Sequence, residues 1–130
     1  MRSVPAFYLA TIDENNQPRV RPLSLAYEWE GKLSLGVKDV KKVYQQLMNN
    51  PNAEICAFNQ EKGTWVRISG KVKLFRDIEA NRYILNEVMP ALKSIHKDEH
   101  DLSMVIISFV EGQADFYSCG STTPRETIKL

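Results

Sequence analysis

The sequence predicts a mainly β, α+β fold: a small antiparallel β-barrel with two to three flanking helices. Three observations predict it. Short segments rich in aromatic and β-branched residues recur with period-two alternation, and they are joined by brief Gly, Asn and Pro turns. Only two stretches show helical spacing. The order of three strands, a helix, two strands, a helix and two strands leaves too few crossovers for a parallel α/β sheet. At 130 residues, the whole chain, 1–130, makes one domain around a moderate core.

Taken in order, PAFYLATID over residues 5–13 is the first strand, closed by the polar ENNQP turn. RVRPLSLAYEW over 19–29 is the second, with Arg19, Arg21, Leu23, Leu25 and Tyr27 on one face. Glu30-Gly31 turns it into KLSLGV, so the two pair as a hairpin. Pro22 lacks a ladder donor and marks an edge or bulge. Asp39 is the expected N-cap of a helix carrying Val40, Val43, Tyr44, Leu47 and Met48, and Asn50-Pro51 ends it. AEICAFN and TWVRISGKVKLF form a second hairpin, where Gly70 signals a bulge or close approach. A second helix starts near Asp77, turns Ala80, Tyr83, Ile84 and Val88 inward, and stops around Pro90. LSMVIISFV and QADFYS are the last two strands, joined at Glu111-Gly112, and residues 119–130 read as a polar tail.

Composition excludes several classes. Lys and Arg number 17 against 16 Asp and Glu, which gives no general attraction for nucleic acid, so any basic site must be local. No apolar run reaches the ~18 residues that cross a bilayer, and MRSVPAFYLA lacks a signal-peptide pattern, so a cytoplasmic protein with no membrane partner is expected. Cys56 and Cys119 have no zinc or CxxC spacing and are read as reduced, Cys56 as a small hydrophobe in a core strand.

The local basic site lies where the KLSLGV strand runs into the first helix. Lys38, Lys41 and Lys42 crowd a helix start whose backbone N–H groups already carry partial positive charge, an arrangement that a bound anion would stabilise. Arg19 and Arg21 point the same way from the neighbouring strand, so five cations converge on a phosphate-sized target. The simpler alternative, solvated lysines and surface ion pairs, stays open at this point. His96 and His100 stand four apart but sit in a charged run without a Cys, and no metal is assigned to them. Trp65 and Arg67 share a strand face that can cover a flat ligand or a partner, or simply join the core.

FYLATIDENNQPRVRPLSL, GKLSLGVKDVKKVYQQLMNNPNAEICAF, WVRISGKVKLF and GQADFYS, in that order over residues 5–118, resemble the pyridoxamine 5'-phosphate oxidase-like flavoproteins with a split β-barrel, in the branch with the nitroimidazole-resistance proteins. The resemblance implies a homodimer with FMN at the subunit interface. It implies a phosphate held by Arg19, Arg21, Lys41 and Lys42, with Lys38 alongside, and a flavin ring along Pro22, Leu23, Gly36 and Val37. Trp65 is a further cofactor-side candidate. It also implies an FMN-dependent oxidoreductase acting on a small molecule, with NAD(P)H as a candidate electron donor, and no catalytic side chain is assigned. Oxidation of pyridoxamine phosphate itself is not expected, because CGSTTPRETIKL lacks the Arg and His pair that grips that substrate in the family's best-known members. The alternatives are a non-catalytic protein holding flavin, haem or deazaflavin in the same barrel, and an OB-like nucleic-acid-binding barrel, which near-neutral charge disfavours.

Overall fold

A computed structural model describes residues 7–130; Pro5 and Ala6, expected at the start of the first strand, lie outside them. The strands are β1 (Phe7–Ile12), β2 (Pro18–Leu23), β3 (Ala26–Trp29), β4 (Lys32–Lys38), β5 (Asn52–Asn59), β6 (Thr64–Phe75), β7 (Met104–Ser118) and β8 (Glu126–Lys129), with helices α1 (Lys42–Asn49) and α2 (Ile78–Tyr83). All eight strands belong to one sheet, ordered β2-β1-β5-β6-β7-β4-β3, and β8 joins β7. Every pairing is antiparallel. This is a split β-barrel of the α+β class. No helix among the described residues is long and apolar enough to cross a membrane.

The predicted second strand is two strands. Residues 19–29 break at Ser24-Leu25, so that β2 pairs with β1 and only β3 forms the hairpin with β4. Glu30 and Gly31 make its turn with φ of 50° and 76°, the positive values that suit two-residue hairpins. Arg19 and Arg21 therefore do not lie on a strand bonded to KLSLGV. They face it across the split, at opposite ends of the rolled sheet.

The expected division of the C-terminal strands at Glu111-Gly112 is also corrected. β7 is a single strand of 15 residues, bent where its register with β6 shifts between Lys71 and Val72. Gly70 sits opposite Gly112 there. A Cβ on Gly70 would fall 1.9 Å from the Glu111 carbonyl oxygen, so the close approach predicted from its place in the strand is present. The first half of β7 bonds β4 and the second half bonds β8. Residues 126–129, expected in a free tail, thus cover an edge of β7 that would otherwise present unpaired backbone groups.

One core cluster fills the barrel, with Leu9, Leu35, Val43, Leu47, Ile55, Val105, Ile107 and Phe109 among its members. A second, including Leu25, Tyr27, Ala80, Ile84, Met104 and Ile106, lies between the outside of the barrel and the α2 segment. Alternate residues of β7 serve both, which explains why MVII, residues 104–107, is apolar without interruption. Asp77 caps α2 by accepting from the Ala80 N–H at 3.0 Å. Beyond α2 the chain widens into a π-helical turn over Ile84–Val88 and then tightens into a 3₁₀ turn over Pro90–Ser94. Cys56 is exposed rather than in the core, because the inward position of β5 is taken by Ile55; Cys119 is exposed too, and both thiols are free.

Candidate functional site

A cavity of about 1060 Å³ opens between the β2 side of the split, the β4 end and α1, and residues 89–96 form a further wall. That is the size of a cofactor or drug-sized ligand. Its lining brings together nine of the ten residues picked out from the sequence: Arg19, Arg21, Pro22, Leu23, Gly36, Val37, Lys38, Lys41 and Lys42. Trp65 stands apart. It projects from the outer face of β6 and stacks on Tyr117 at 4.1 Å between ring centroids, with the Arg67 guanidinium 5.1 Å above it.

The two arginines of β2 differ in what neutralises them. Arg19 Nε donates to Asp13 Oδ2 at 2.8 Å in an ion pair, its side chain 57% exposed. The Gln17 backbone N–H first, and Arg19 after it, hold the Asp13 carboxyl below its ordinary pKa against partial desolvation. Arg21 turns inward instead. Its Nη1 donates to the Leu9 carbonyl at 3.2 Å and to Thr11 Oγ1 at 2.7 Å, and its Nη2 donates to Gln46 Oε1 at 2.6 Å. The Thr11 hydroxyl donates to the same Gln46 oxygen at 2.6 Å. All of these acceptors are neutral, so the guanidinium is fixed in place without being neutralised, and burial lowers its pKa.

The helix start nearby is equally unbalanced. The predicted Asp39 cap does not form: Lys41 occupies the N-cap position with no side-chain bond, and the first turn holds no acidic residue. Asp39 is drawn away by Arg76, whose Nη1 donates to Asp39 Oδ2 at 3.1 Å. The leading N–H groups of α1 therefore have neither cap nor counter-charge. Among the described residues, Arg21, Lys38, Lys41 and Lys42 make no ion pair.

Gly36 lines the cavity for a packing reason, since a Cβ there would come within 2.5 Å of the Leu25 side chain. The sequence reading did not find Thr11, Gln46, Met89, Leu92, Ile95 or Met104. Gln46 had a signal: it follows Val43 by three residues, so a polar side chain falls on the buried stripe of the helix. His96 and His100 do not share a helical face, because residues 97–101 are turns and bends. His96 bonds Asp101, while His100 lies near Asp98 at the surface.

Comparisons with known proteins bear on the fold and the family. The model of the pyridoxamine 5'-phosphate oxidase family matches residues 1–114. This chain belongs to that family. A NimC/NimA family protein from Clostridium acetobutylicum is 35% identical, with a TM-score of 0.85 over 98% of this chain and 86% of that one, in keeping with the nitroimidazole-resistance-like branch. A pyridoxamine 5'-phosphate oxidase-related, FMN binding protein from Nostoc punctiforme shares 16% identity at a TM-score of 0.77, over 98% of this family member and 87% of that chain. A heme binding protein from Mycobacterium smegmatis shares 14% at 0.71, over 98% and 53%. At such identities the last two show the common fold alone. No curated protein matches significantly.

Proposed function

We propose that this family member binds FMN in the split-barrel cavity and acts as an FMN-dependent oxidoreductase on a small molecule. The observation that carries the reading is Arg21: a partly buried cation held by three neutral acceptors, beside the uncapped α1 start and its lysines. A cation partly withdrawn from water without a counter-charge costs free energy that a bound anion recovers, and a phosphate dianion matches both the guanidinium fork and the helix N–H groups. The residues present fit the cofactor. Arg21, Lys41 and Lys42 hold the phosphate, with Lys38 and Arg19 adding longer-range attraction. Leu23, Val37 and Leu25 offer apolar wall, and Met89, Leu92 and Ile95 add to it. When bound, FMN supplies electron and hydride transfer, and the protein supplies binding, orientation and electrostatics.

A homodimer is part of this reading, as is a cytoplasmic setting. Val20, Tyr8 and Phe58, exposed at 68%, 50% and 51%, share the outer face of β2, β1 and β5 with Ala10, Cys56 and Glu54, the last ion-paired with Arg67. An exposed apolar patch spanning three strands suits a second copy of the chain. A monomeric mass by light scattering with flavin bound would contradict it.

The purified, untreated protein should be yellow with a flavin spectrum. Under anaerobic conditions NADH or NADPH should bleach it, and an added acceptor should restore it. A haem or deazaflavin spectrum would replace FMN with the corresponding cofactor, and a flavin that no donor reduces would leave a binding protein.

A further inference from the structure

The wall formed by residues 89–96 carries an ionisable pair that phosphate anchoring does not use. His96 is only 4% exposed, and its Nδ1 lies 2.7 Å from Asp101 Oδ2. The other oxygen of Asp101 accepts from Ser103 Oγ at 2.6 Å and from the Ser103 N–H at 3.1 Å. The Ser103 hydroxyl first, then His96, hold this carboxyl down at about 2. An ionised carboxylate only accepts, so the proton of that contact sits on Nδ1, which leaves Nε2 as the ring nitrogen able to accept one.

Nε2 has no hydrogen-bond partner among the described residues. It is nevertheless not sealed, unlike Tyr27 Oη, Trp29 Nε1 and Asn81 Oδ1, which are buried and unpaired. His96 lines the cavity, and Nε2 is the ring nitrogen that no described residue occupies. The loop behind it is pinned, because the fully buried Asn81 donates from Nδ2 to the Glu99 and Asp101 carbonyls at 3.1 and 3.4 Å. The π-helical turn at Ile84–Val88 that leads into this wall is a distortion frequently found at functional sites.

We propose that His96 is the proton-accepting group of the cavity: Nε2 receives a hydrogen bond from an O–H or N–H of a bound small molecule and takes that proton, while Asp101 orients the ring. The proton inventory closes within the site. The ligand X–H bond breaks and its electron pair stays on X; the Nε2–H bond forms, and the imidazolium faces the ionised Asp101. The ligand class is a hydroxyl or amine compound, and Asp101 is a positioning residue. The inference rests on the cavity being a ligand site and holds whichever cofactor fills it.

Carbethoxylation by diethyl pyrocarbonate, read by peptide mass mapping of the full chain, tests it, because the reagent attacks an accessible imidazole lone pair. The exposed His100 serves as the internal reference. His96 should be modified in the ligand-free protein despite its burial, and saturating FMN should slow modification of His96 but not of His100. Asp101→Asn should slow His96 modification by about tenfold, the usual scale for losing an orienting carboxylate partner, with Asp101→Glu restoring it. An inert His96, or an unchanged rate in Asp101→Asn, would overturn the proposal. FMN binding is measured separately by flavin fluorescence. If FMN does not bind, the cofactor reading fails while His96 is still judged on the ligand-free protein; if FMN binds and leaves His96 unprotected, the ligand-facing role is lost. Should Asp101→Asn fail to fold, ¹H–¹⁵N spectra of the wild-type imidazole decide, since a ring protonated at Nε2 and bare at Nδ1 contradicts the assignment.

Discussion

The two walls of the cavity treat charge in opposite ways. On the α1 side, Arg21, Lys38, Lys41 and Lys42 have no acidic partner among the described residues, and Asp39, which would have capped the helix, is held by Arg76. On the opposite wall the carboxylate is balanced by donors rather than by charge, with Asp101 accepting two bonds from Ser103 and one from His96. An unbalanced wall stores an unmet demand for an anion, whereas a balanced one positions an imidazole. The arginines of β2 repeat the contrast two residues apart, one quenched by Asp13 and the other left charged on neutral acceptors.

The largest effect should therefore separate those arginines. Arg21→Ala should weaken FMN by roughly 10- to 100-fold, the scale of one charge-assisted contact of about 1.5–3 kcal/mol. Arg19→Ala should change it by no more than about fivefold, because an exposed pair contributes about 0.2–1 kcal/mol. Fluorescence titration of both variants checks this, and equal losses would erase the distinction between them.

Next in size is the scaffold of the unbalanced wall. Gln46→Leu leaves the Thr11 hydroxyl and Arg21 Nη2 without their shared acceptor, which should cost roughly 1–3 kcal/mol of stability. Urea unfolding followed by circular dichroism measures it. An unchanged midpoint would mean that Gln46 does not hold Arg21 in place.

The smallest effect belongs to the balanced wall and is lost in acid. The folded pKa of Asp101, about 2, lies below its ordinary 3.8, so its ionised form favours the folded state. That contribution is complete above about pH 4 and is lost as the pH falls towards 2. Asp101→Asn should lose stability at pH 6 and show a flatter decline between pH 4 and 2 than the wild type. Parallel curves would show that the carboxylate is not stabilised by folding.

Much of this arrangement was legible in the sequence, for physical reasons that also set its limits. Period-two alternation marks β1, β4, β5 and β6 well, because each buries one face. β7 is buried on both faces, and its Gly112 sits opposite Gly70, so a bend inside one strand looks like a turn between two. The pairing of β8 with β7 is an edge effect that no local pattern in RETIKL announces. At the site, cations and glycines stand out as residue types, and nine of the ten selected residues line one cavity. Asp39 looked like a cap because Asp before an apolar stripe usually is one; its capture by Arg76, 37 residues away, is a tertiary fact. Thr11 was silent for the same reason, since its role depends on Arg21 and Gln46 arriving from other parts of the chain, and His96 drew notice only for its spacing from His100.

The central claim is that the α1 wall exists to hold a phosphate, and one comparison of ligands tests it most directly. Binding of FMN and of riboflavin, which lacks only the phosphate, should be measured in the wild type and in the Arg21→Ala, Lys42→Ala double variant. The account predicts that the double variant loses roughly 10²-fold or more in FMN affinity, about two charge-assisted contacts, while riboflavin changes by only a few fold. Equal losses for both ligands would contradict it.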